Sequence, residues 1–134
     1  MGLDMNMYAV ENDTLTMEKL YEEDFHKHYS QSWYWRKANQ IHGWFVKNVQ
    51  NDNDDCGLYE VSIDQIKKLR DEVNFTLATK NTAGLPPTAG FFFGSSAVDE
   101  WYWEDVTDTQ RYLKEMIEDY EDNPQTKFYY TSSW

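Results

Sequence analysis

One stretch leaves little choice of local fold. In "SIDQIKKLRDEVNFTLA", Ser62 and Gln65 stand at the spacing of a capping box. The serine oxygen can take a free first-turn amide while the glutamine reaches back to the serine N–H. Ile63, Ile66, Leu69, Val73 and Leu77 then recur at three- and four-residue steps, so the spacing predicts a helix over 63–78. Such a stripe must be covered. "LYEV" at 58–61 and "TKFYYTSSW" at 126–134 are rich in β-favouring residues and predict strands. The expected class is α+β, about three helices packed on a small, mainly antiparallel sheet. A chain of 134 residues fits one domain, 1–134, and can bury a core without disulfides or metal.

The other elements follow from pattern and punctuation. Tyr34, Ala38, Ile41, Phe45 and Val49 share a helical face, which predicts a helix over 33–49 capped by Ser32. Arg36, Gln40, Gly43 and Lys47 lie on another face of it, and "NDNDDCG" at 51–57 stops it. Residues 80–90 carry two prolines and two glycines and read as a loop. "FFFG" at 91–94 reads as a short strand, 95–100 as a turn, and 101–103 as a strand or an extended approach to a helix. Thr107 and Gln110 suggest a second capping box, heading a helix over 108–121 that Pro124 ends. Residues 1–30 read as a less regular segment with a short helix in "LTMEKLYEEDF".

Charge narrows the partners. The formal net charge is −12, which argues against direct binding of nucleic acid or an anionic membrane. Residues 25–51 nevertheless hold Lys27, Arg36, Lys37 and Lys47 and no acid. Residues 98–122 hold ten acids and two bases. No apolar run is long enough to cross a membrane, and the first 13 residues lack the basic and apolar regions of a secretory signal. A single cysteine, Cys56, suits a reducing cytosol.

Few residues make a complete chemical constellation. Read as a calcium loop from Asp52, the 51–57 turn has Cys56 at position 5 and Ile63 at position 12, so it fails at two ligand positions. His26, His28, His42 and Cys56 do not make a zinc set, and no metal or other cofactor is expected. Acids beside Cys56 would raise its pKa, against a nucleophilic role. Glu100, Glu104 and Asp105 crowd the rings of 101–103 and could serve as bases of a small hydrolase.

The fuller toolkit is for binding. Trp33, Trp35, Trp101 and Trp103 offer stacking faces, Arg36 and Lys37 can grip phosphate, and Asn39, Gln40 and His42 can read a base edge or ribose. Against this, Trp33, Trp35 and Trp44 can be core, with Arg36 paired to an acid of 98–122.

Three blocks, "YWRKANQIHGWFVKNVQNDNDDCG" at 34–57, "GFFFGSSAVDEWYWEDV" at 90–106 and "FYYTSSW" at 128–134, resemble a family of small, mostly uncharacterised bacteriophage proteins. The resemblance implies an accessory protein in the cytoplasm of an infected bacterial host. It brings no catalytic residues. Such proteins often inhibit host antiviral defence, and the leading expectation is sequestration of a nucleotide-derived immune signal rather than catalysis. The alternative is an acidic decoy that imitates DNA phosphate and blocks a defence protein such as a CRISPR nuclease. It would use Asp99, Glu100, Glu104, Asp105, Asp108, Glu115, Glu118 and Asp119. The abundance of aromatic residues also predicts a homo-oligomer.

Overall fold

The computed structural model describes residues 2–90 and 94–134. The chain runs β1 (Asp4–Val10), α1 (Met17–Leu20), a 3₁₀ turn (Phe25–His28), β2 (Gln31–Arg36), α2 (Asn39–Asn48), β3 (Leu58–Val61), α3 (Ile63–Thr79), α4 (Glu100–Asp122) and β4 (Lys127–Ser133). The strands form one antiparallel sheet in the order β2-β1-β4-β3. The fold is α+β, as the sequence pattern implies. No helix among the described residues is long and apolar enough to cross a membrane.

Strand alternation sorts the sheet into two faces. Met5, Met7 and Ala9 of β1, Trp33 and Trp35 of β2, and Phe128 and Tyr130 of β4 join the main core. There they meet Ile41 and Phe45 of α2, Ile66, Leu69 and Val73 of α3, and Val106, Leu113 and Met116 of α4. Residues of opposite parity, Tyr8, Val10, Leu58 and Tyr129, gather a smaller cluster with Leu15, Leu20, Phe25 and Tyr29. Residues 11–30 thus cover part of the second face.

The helix expected over 33–49 is instead a strand, a turn and a shorter helix. Trp33 and Trp35 point into the core while Ser32, Tyr34 and Arg36 point away, a period of two. Tyr34, assigned to a buried helical face, is 48% exposed, and its hydroxyl donates to Asp4. Ser32 therefore caps nothing. Lys37 takes a left-handed φ of 56° and turns the chain into α2. Ala38, Ile41 and Phe45 are buried as the spacing requires.

The helix expected to begin at 108 begins at Glu100, so the strand suggested for 101–103 is its first turn. The cap is Asp99, whose carboxylate accepts the Tyr102 N–H at 3.1 Å. The Thr107 hydroxyl instead donates to the Trp103 carbonyl inside the helix. The Ser62/Gln65 box and the 63–78 helix form as expected, α3 running one residue longer. The expected 91–94 strand falls on residues 91–93, outside the described residues; Gly94 follows in irregular structure. The first 30 residues, read as less regular, supply central strand β1.

Candidate ligand-binding site

The turn from β2 into α2 builds the site. The Lys37 N–H donates to the Leu3 carbonyl at 2.7 Å, closing the β1–β2 pairing. The chain then buries Asn39 and Gln40, each 3% exposed, and buried amides need partners. Asn39 Nδ2 donates to the Ser95 carbonyl at 2.8 Å, and its Oδ1 accepts the Thr88 N–H at 2.9 Å. Gln40 Nε2 donates to the Tyr102 carbonyl at 3.2 Å. The Tyr102 hydroxyl reaches the Leu85 carbonyl at 2.7 Å, and burial pushes its pKa up to about 12, so it stays a neutral donor. Two side chains from one turn therefore fasten Thr88, Ser95 and the start of α4.

Between these parts lies a cavity of about 280 Å³, lined by Arg36, Lys37, Asn39, Gln40, Gly94, Ser95, Ala97, Asp99, Trp101, Tyr102 and Asp105. That volume lies just under the usual range for ligand pockets, about 300–1,000 Å³. The start of α2 faces it with Ala38 at the cap position, so no side chain caps that helix. The Asn39 and Ile41 amides already donate to the Lys37 and Ala38 carbonyls, so the attraction for an anion there comes from the helix dipole.

The cations are held but barely matched. Lys37 runs between two glycines. A Cβ on Gly94, whose φ is +84°, would lie 3.2 Å from Lys37 Cβ, and one on Gly2 would lie 2.9 Å from Lys37 Cε. Arg36 Nη2 and Lys37 Nζ each lie 3.8 Å from that same Gly2 position, so both charged groups reach the same glycine. Arg36 meets Asp4 at 3.9 Å, the limit of an ion pair, correcting the expected pairing with an acid of 98–122. Lys37 forms no ion pair among the described residues.

Asp105 is the complementary feature. It is partly buried in the cavity wall beside the Gln40 amide, with no cation paired to it among the described residues. Burial first, then the charges of Asp108, Glu104 and Asp99, raise its pKa to about 6. Trp101 lies 65% exposed on the same wall, an indole left open to solvent.

Of the residues expected to bind, Arg36, Lys37, Asn39, Gln40 and Trp101 come together here. Four do not. Trp33 and Trp35 are core: their indole nitrogens donate to Glu115 at 3.1 Å and Thr109 at 2.8 Å. Trp103 packs edge-on to Tyr102 and takes the Lys80 ammonium over its ring at 4.6 Å. His42 is fully buried. Its Nε2 lies 2.9 Å from Asp54, which can only accept, so that nitrogen carries the proton. Nδ1 then accepts the Tyr130 hydroxyl at 2.7 Å. Asp54 also takes the Trp134 indole at 3.1 Å, so the 51–57 turn ties the C-terminal strand to α2.

The eight acids expected to act as a decoy are unequal. Asp99 is a helix cap, Asp105 lines the cavity, Asp108 meets Arg111 at 3.7 Å and Glu115 is taken by Trp33. Glu100, Glu104 and Glu118 are exposed. Asp119 has a raised pKa through burial and the charges of Asp122, Glu115, Glu11 and Glu118. Burial, with Asp54 and Asp55, also raises the Cys56 thiol.

A larger groove of about 680 Å³ lies along α3 and α4, where Lys114, Glu118 and Glu121 form no ion pair among the described residues and two arginines do. Arg111 has Asp108, Arg70 has Asp71 at 3.1 Å, and Gln110 bonds Asn74 across the groove at 2.8 Å. None of its described lining residues is aromatic. Comparison with known protein families, curated proteins and solved structures finds no match to this chain.

Proposed function

We propose that this chain binds a small nucleotide-like anion in the cavity between the β2–α2 turn and α4, without transforming it. The observation carrying this reading is the meeting of complementary, largely unmatched groups around one braced cavity. Arg36 and Lys37 supply positive charge, Trp101 an open ring and Asp105 an acceptor. An aromatic face is worth about 1–3 kcal/mol per stacked base, and Arg grips phosphate through paired N–H donors. The resemblance to small bacteriophage proteins suggests the setting: sequestration of a nucleotide-derived signal of host defence.

Calorimetric titration of the purified chain with purine mononucleotides tests this. The expected result is saturable binding, lost by about tenfold or more in Arg36→Ala, with the nucleotide recovered unchanged. Arg36 is exposed, so that variant should fold normally. No binding to any nucleotide contradicts the proposal, and recovery of an altered nucleotide shows the hydrolase instead.

A specific feature favours a decoy as the second reading. The last two turns of α4 carry Glu118, Asp119, Glu121 and Asp122, with no base in the last turn. Acids there oppose the helix dipole, so the charge is kept against a local cost. A decoy binds a basic partner with steep salt dependence and is indifferent to Arg36→Ala.

A further inference from the structure

We infer that the cavity reads guanine, with the Asp105 carboxylate accepting the two adjacent N–H groups of the base edge. The inference rests on the nucleotide-binding reading above and names the base. Guanine presents a ring N–H beside an exocyclic amine, two donors in a row, and a carboxylate offers two acceptor oxygens at matching spacing. Adenine presents an amine beside a bare ring nitrogen, which would meet the carboxylate lone pairs. Cytosine shares that defect, and uracil offers one donor between two acceptors.

The wall leaves Asp105 to do this. Asp99, the other carboxylate lining the cavity, is occupied as the α4 cap through the Tyr102 N–H. Asp105 accepts from no backbone group among the described bonds, and its one close partner is the neutral Gln40 amide. Every acid near it, Asp99, Glu104 and Asp108, makes its ionised form less favourable. The cations on the facing turn, Arg36 and Lys37, form no ion pair with it. A carboxylate held in a cavity without a counter-charge is an acceptor in want of donors. Trp101 on the same helix can cover the ring, and the cations remain for the phosphate.

The test is titration of the full chain with GMP, IMP and AMP at pH 7.5 and pH 5. At pH 7.5 GMP should bind about tenfold or more tighter than AMP, with IMP between, since it keeps the ring N–H and lacks the amine. At pH 5 Asp105 is mostly a neutral acid, its hydroxyl now able to meet the adenine ring nitrogen, so the preference should shrink. Asp105→Asn should erase the GMP preference while leaving the dependence on Arg36. GMP and AMP binding equally, with Arg36 still required, overturns the guanine assignment and spares the binding site. A GMP preference that survives Asp105→Asn also overturns it. Binding to none of the three overturns both.

Discussion

Asp105 sits where it costs the protein stability. Its pKa is raised from 3.8 to about 6, so its proton is held more tightly in the folded state. The resulting stabilisation is full below about pH 4 and is lost as pH rises through 6. Asp105→Asn removes the ionised form, and should therefore stabilise the fold at pH 8 and change little at pH 4. The expected gain is about 1 kcal/mol, well below the full equivalent of the shift, because the carboxyl is still partly in water. Urea unfolding at both pH values measures it; equal stability at pH 8 contradicts it. Lys37 is a second strained choice, a side chain at φ 56° where glycine is at ease. Lys37→Gly should gain about 0.5–1 kcal/mol by relieving that conformation, yet weaken nucleotide binding. A variant no more stable than the parent argues against strain at this turn.

Elements differ in how openly the sequence displayed them. Helix α3 was legible because a capping box, a stripe and helix-favouring residues agree over 17 residues. Strand β2 was not. Its large rings fit either a strand or a helical stripe, and the turn after it uses a left-handed lysine where glycine or asparagine would have signalled it. Strand β1 hid behind two methionines, an aspartate and an asparagine, residues with weak or no β preference, although every second one is buried. The early start of α4 was masked by aromatic residues at 101–103. With the helix begun at Glu100, Trp101 and Asp105 fall one turn apart on one face, which is what brings both to the cavity. The same helix makes a prediction at its other end. Glu121→Lys or Asp122→Lys should stabilise by about 0.3–1 kcal/mol through the dipole, without changing nucleotide affinity. A higher urea midpoint with an unchanged titration supports this. A loss of nucleotide binding would show that the two ends of α4 are not independent.

Across the whole molecule, two buried polar systems fasten the layers. One is the Asn39 and Gln40 clamp that shapes the cavity. The other is the Asp54–His42–Tyr130 chain that joins the 51–57 turn, α2 and β4. Burial lowers the His42 pKa, outweighing the opposing pull of Asp54. His42 thus favours folding above about pH 6.5, and that contribution falls away as pH drops below it. Its ring protons in NMR should titrate below 6.5; a midpoint above that would contradict the buried neutral ring. Tyr130→Phe leaves His42 Nδ1 without its donor and should cost about 1–3 kcal/mol, while the cavity on the other side of α2 keeps its ligand. NMR mapping with a purine nucleotide at pH 7.5 locates the ligand on the molecule. Shifts confined to the backbone amides of Lys37, Asn39 and Gln40 and the Trp101 indole, saturating with nucleotide, are the predicted result; no shifts, or shifts gathered along the α3–α4 groove, would contradict it.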